Sequence, residues 1–139
     1  MESMVGEWKL EHRDQNFGEF LECRHVGWFL RTLMTKSSAD VEYKLSDDKG
    51  TFTKITKSLL HSSEYPMPTQ GEFCPLKTLS GKKEFGRLQE TSGQNVILEM
   101  NYVDSGDPAA LVKHKVVDGK LLVSLHCKDI VCNSIYAKK

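Results

Sequence analysis

Five histidines, His12, His25, His61, His114 and His126, together with several serines, supply the residue types from which a nucleophile and its base are built. Their arrangement does not support catalysis. The chain has no G-x-S-x-G elbow, H-E-x-x-H pair, phosphate loop or G-x-G-x-x-G turn, and no carboxylate is evident to orient His114 toward Ser134. Cys23, Cys74, Cys127 and Cys132 are scattered without a C-x-x-C pair or a histidine at zinc-ligand spacing. Free, mostly buried thiols are expected, with no metal, no cofactor and no enzyme activity. His114 stands apart because its neighbours fix its direction. In Leu111 to Val116 the ammonium groups of Lys113 and Lys115 must face water, which turns Val112, His114 and Val116 inward. An inward histidine can hydrogen-bond a carboxylate, amide or hydroxyl, or pair as a cation with a carboxylate. It can equally be a neutral group bonded to its neighbours or to water.

The elements that would position such a group are mostly strands. After Ser37, short alternating runs are broken by Asp47-Asp48-Lys49-Gly50, Ser80-Gly81, Ser92-Gly93, Asp104 to Pro108, Asp118-Gly119 and Lys128-Asp129. Turn residues at this spacing predict an antiparallel meander of eight to ten strands, enough to close a barrel and remove its edges. Asp118-Gly119 is the clearest hairpin turn, since that pair readily takes positive φ. From Leu121 to Cys127 the inner face is Leu121, Val123, Leu125 and Cys127. In Val131 to Tyr136, alternation alone does not choose between Cys132, Ser134 and Tyr136 and the opposite set. Asn16 to Lys36 differs: Phe17, Phe20, Leu21, Trp28, Phe29 and Leu33 fall at near-helical spacing and predict two short helices, broken near Gly27, with an apolar stripe packed on the core.

Composition narrows the class further. The length suits a single domain spanning residues 1–139. Nineteen basic residues offset nineteen acidic ones, so no overall field gathers nucleic acid. The first residues lack the apolar run of a secretory leader, and no stretch approaches a membrane span. A cytoplasmic monomer with access to the nucleus is expected.

Gly6-Glu-Trp8-Lys-Leu10, Asn16-Phe17, Phe20-Leu21, Val26-Gly27 and Arg31 resemble the N-terminal signature of the intracellular fatty-acid-binding proteins, a calycin family. Val117-Asp118-Gly119-Lys120-Leu121 and Val131-Cys132-Asn-Ser134-Ile135-Tyr136 are similar to its last strands, and the likeness is weakest between Lys57 and Gln94. The long turn at Asp104 to Pro108 is similar to those of some invertebrate, nematode-like members. The resemblance implies an all-β fold, a ten-stranded antiparallel up-and-down barrel or clam with a helix-turn-helix lid near the N-terminus. It implies a carrier of one long-chain fatty acid or related amphiphile, with transient membrane contact and, as in some members, delivery to a nuclear receptor.

Many members of that family grip the ligand carboxylate with two arginines and a tyrosine, and here the matching positions read His114, Ser134 and Tyr136. Lys54 is a further candidate counterion if the face it shares with Thr56, Ser58 and Leu60 is the inner one. Phe17, Phe20, Leu21, Thr56, Ser58, Met100, Val112, Val123 and Leu125 are the expected cavity lining, and Leu33, Leu60 and Leu79 match the portal. Without the arginines, the ligand is either a fatty acid held by fewer charge contacts or a neutral amide, alcohol or retinoid. Arg24, Arg31 and Lys36 beside Glu19 and Glu22 read as a solvated mixed-charge face on the lid.

Overall fold

In the computed structural model, residues 1–58, 62–78, 81–91 and 95–139 are described. Strand β1 (Gly6–Arg13) leads into helices α1 (Phe17–Cys23) and α2 (Trp28–Lys36). Nine strands follow: β2 (Asp40–Leu45), β3 (Thr51–Lys57), β4 (Ser62–Pro68), β5 (Cys74–Leu76), β6 (Glu84–Thr91), β7 (Asn95–Tyr102), β8 (Pro108–Val117), β9 (Lys120–Cys127) and β10 (Ile130–Lys138). They form one antiparallel sheet in the order β4-β3-β2-β1-β10-β9-β8-β7-β6-β5. The sheet curls so that β4 approaches β5 and β6, making a nearly closed ten-stranded barrel with the two helices as a lid. Asp118 and Gly119 turn the β8–β9 hairpin at φ 51° and 77°, the pair of positive angles that an aspartate-glycine turn accommodates.

Alternation decides most side-chain directions. Lys113 and Lys115 are exposed while Val112 and His114 are buried, and Leu121, Val123 and Cys127 face inward as expected. On β10 the inner set is Cys132, Ser134 and Tyr136. One apolar cluster, including Trp8, Tyr43, Phe52, Leu88 and Leu121, fills part of the barrel. There Trp8 Nε1 donates to the Met4 carbonyl at 2.8 Å. A second cluster of Phe20, Leu21, Val26, Cys127 and Cys132 fastens the lid. Helices this short are marginal alone, so this burial is what holds α1 in place.

Three expectations need correction. Trp28 and Phe29 are not core residues: they are 71% and 69% exposed at the outer end of α2, because a nine-residue helix lying over an opening has little barrel surface beneath it. Arg24 is not part of a solvated face but turns inward from the C-terminus of α1 to Glu84. The cysteines are not all free thiols: Cys23 of α1 and Cys127 of β9 form a disulfide across 104 residues, while Cys74 and Cys132 are free. No spacing rule finds this bond, because it is the docking of α1 on β9 that brings the two together. Such bonds persist in oxidising surroundings, and in a reducing cytosol the same two residues would be adjacent thiols. Under non-reducing conditions, Cys23→Ser should cost about 2–4 kcal/mol of stability, read as a lower guanidinium midpoint. Reductant should lower the wild-type midpoint toward that of the variant and leave the variant unmoved.

Candidate functional site

The interior between the lid and the barrel wall holds two neighbouring chambers. The chamber under the lid has a volume of about 230 Å³ and includes Phe20, Leu21, Met67, Leu98, Met100 and Val112 in its wall. The second, of about 190 Å³, is bounded by Arg13, Phe17, Tyr43, Val123, Ser134 and Tyr136, among others. Lys54, Thr56 and Leu125 belong to both walls. All nine residues expected to line a cavity therefore lie on one chamber or the other, with Ser58 on the second. Of the residues matched to the portal, Leu33 is half-buried on α2 and borders neither chamber, while Leu60 and Leu79 lie outside the described residues.

The charges inside come from β1 and β3. Strand β3 presents Phe52, Lys54 and Thr56 inward, so the Lys54 face left open by the sequence is the inner one. Burial, with the nearby Arg13 charge adding to it, lowers the Lys54 pKa to about 8. Arg13 reaches the cavity through an irregularity in β1. Leu10 pairs with Tyr136, but the register then shifts, so that His12 pairs with Ile135 and Arg13 with Ser134. Strict alternation from Trp8 and Leu10 would point His12 inward; the bulge exchanges it for Arg13. The Arg13 guanidinium stacks 3.9 Å from the Phe17 ring centre, and its Nε is buried without a partner. Among the described residues, no carboxylate forms an ion pair with Arg13 or Lys54.

The contrast with Arg24 is informative. Its Nη2 donates to Glu84 Oε1 at 2.8 Å, so this cation on the wall of the lid chamber is already neutralised. His114 faces inward, as its lysine neighbours require. Its ring is 3% exposed, lies edge-on to Tyr43 at 5.9 Å, and borders neither chamber. Because Nδ1 is 3.0 Å from the Val96 carbonyl, which can only accept, Nδ1 carries the proton and Nε2 is a bare acceptor. Burial, reinforced by the Lys54 charge, lowers its pKa to about 3. In this state His114 cannot donate from Nε2 to a carboxylate. Tyr43, whose hydroxyl is also buried without a partner, has its pKa pushed well up by burial and by Tyr136, and so stays a neutral donor.

Ser134 and Tyr136 are brought together with Lys54 on the second chamber, while His114 packs edge-on against Tyr43 and is not on its wall. Sequence reasoning missed Arg13, Tyr43, Arg24 and Glu84. Tyr43 was legible, since Val41-x-Tyr43 alternates as an inner face. Arg13 was not, because a bulge has no reliable signature, and Arg24 was not, because an arginine at the end of a short helix normally faces water.

No protein-family model matches the chain. It is 21% identical over its whole length to the mouse (Mus musculus) cellular retinoic acid-binding protein 2, covering all of that protein. It is 26% identical to a fatty acid-binding protein of Clonorchis sinensis over 89% of this chain and 88% of the other. The solved apo structure of Caenorhabditis elegans lipid binding protein 8 superposes with a TM-score of 0.90 at 20% identity, covering 100% of this chain and 97% of that one. These relatives are named for lipid binding rather than for a reaction. With end-to-end sequence matches and a shared lidded ten-stranded barrel, this chain has the fold of the lipid-binding proteins and is similar along its whole length to the fatty-acid-binding and cellular retinoic acid-binding proteins.

Proposed function

We propose that the chain carries one long-chain fatty acid or related amphiphile inside the barrel, dispersing it in water and moving it between membranes. The observation that carries this reading is a largely apolar chamber continued by one containing cations that no carboxylate among the described residues neutralises. An acyl chain gains about 0.8 kcal/mol per buried methylene, which gives useful affinity before any head-group contact is counted. The names of the relatives support the same class of ligand, fatty acids for one and a retinoid acid for the other.

Transfer would use the lid, where the exposed Trp28 and Phe29 rings and Lys36 offer an amphipathic contact to a bilayer. No helix among the described residues is long and apolar enough to cross a membrane. Work as a cytoplasmic monomer, with hand-over to a nuclear receptor, is the setting in which we place the protein.

A neutral ligand is the second reading, and the bare Nε2 acceptor of His114 is the observation in its favour, since an alcohol or amide could donate to it if Tyr43 moved aside. Displacement of a bound fluorescent fatty acid by oleate, its ethanolamide and retinol separates the two. Oleate should compete at the lowest concentration; a higher rank for the ethanolamide or retinol would favour the neutral ligand.

A further inference from the structure

We infer that the ligand's head group is a carboxylate gripped by Arg13 of β1 and Lys54 of β3, with the hydroxyls of Tyr136 and Tyr43 beside them. This deepens the carrier reading and rests on it. The clamp lies on different strands from the third-last and last ones on which the resemblance places two arginines.

Four observations meet at this chamber. The bulge in β1 sets Arg13 opposite Ser134, so the small serine on β10 leaves room for the long side chain of Arg13 from the adjoining strand. A cation is thus supplied to the same part of the barrel from the neighbouring backbone. Lys54 lines the same chamber, where burial first and the like charge of Arg13 second lower its pKa. Among the described residues no carboxylate answers either of them, whereas Arg24 on the lid chamber has Glu84 and Lys77, at the rim of that chamber, is exposed to water. Two unpaired cations in a desolvated space are costly, and an anion held between them offsets that cost. Finally, among the described residues Tyr43 O–H has no partner, Tyr136 lines the same space and no carboxylate does, so the ligand's oxygens would meet donors.

The arrangement also sets the ligand's direction. The carboxylate sits beside Arg13 and Ser134, and the chain passes Thr56 and Leu125 into the chamber of Leu98, Met100 and Val112 under the lid. An acid is recognised as such, and its ester, which keeps the same chain but lacks the charge, is not.

The test compares displacement of a fluorescent fatty acid by oleate and by methyl oleate. Wild-type protein should prefer oleate by at least roughly 10-fold, since hydrogen bonds to a charged group are the strong ones. Arg13→Gln and Lys54→Met should each weaken oleate by roughly 10- to 100-fold while leaving methyl oleate nearly unchanged, which also shows that the variants are folded. Lys115→Met, removing an outward ammonium, should keep the wild-type preference. A pH series adds an independent readout with an alkyl sulfonate, which stays ionised throughout. The groups facing its head would be Arg13, Lys54, Tyr43 and Tyr136, with His114 behind Tyr43 and already neutral. As pH rises from 7 to 9 Lys54 loses its proton, so affinity should fall in wild type and stay flatter in Lys54→Met. Equal binding of oleate and methyl oleate by wild type overturns the clamp whether or not a variant folds. Survival of the full preference in both variants overturns it as well. Binding of neither ligand by wild type overturns the carrier reading, and the clamp with it.

Discussion

Leu125→Trp should remove high-affinity binding of long-chain fatty acids while the barrel remains folded. Leu125 projects from β9, opposite Val112 of β8 and Cys132 of β10, and it is one of three side chains common to both chambers. An indole at that junction fills the passage through which an acyl chain would run. If about six methylenes are kept out of the lid chamber, the loss at about 0.8 kcal/mol each is close to 5 kcal/mol, more than a thousandfold in affinity. Octanoate, short enough to stay near Arg13, should lose far less. Overpacking a tight core typically costs about 1–3 kcal/mol, but here the ring enters open space, so the stability change should fall below that range. Displacement titrations with ligands of increasing length check this. Undiminished binding of the longest acids would show that the ligand does not run past Leu125.

Glu84→Gln should be among the most destabilising single changes on the barrel wall. Glu84 is 1% exposed at the start of β6, and its carboxylate accepts from Arg24 across the cavity mouth, tying the end of α1 to the far side of the sheet. Neutralising it leaves the Arg24 guanidinium without its counterion in a place with little water. Breaking a buried pair from one side costs about 3–5 kcal/mol, and the lower end applies because the Arg24 side chain is 13% exposed. Urea unfolding reads this as a lower midpoint with an unchanged slope. The double variant Arg24→Met with Glu84→Met should recover most of the loss, because both charges are then gone. If the single variant unfolds at the wild-type midpoint, the pair does not fasten the lid.

Much of the fold was legible because one physical rule governs most of it. An unpaired lysine facing a dry interior is costly, so Lys113 and Lys115 fix the direction of all of β8. The aspartate-glycine turn then hands the same register to β9. The rule weakens where sequence polarity does not alternate. On β3, Phe52, Lys54 and Thr56 share the inner face, and only the pairing with β2 and β4 shows that an ammonium points inward. It fails where the backbone breaks step. One shift between Leu10 and His12 exchanges which residue enters the cavity, and adds Arg13 to the chamber where the sequence had offered Lys54, Ser134 and Tyr136. The Cys23–Cys127 bond and the Arg24–Glu84 pair were hidden for a related reason: each joins the lid to the barrel, and nothing local in either segment records how the lid is seated.

The claim that a single amphiphile occupies the barrel is tested most directly by titrating delipidated protein with an environment-sensitive fluorescent fatty acid and then competing it off with oleate. The account predicts saturation at one probe per chain, with a blue-shifted emission that oleate abolishes well below millimolar concentration. Failure of the probe to bind, or binding that oleate does not displace, would contradict it.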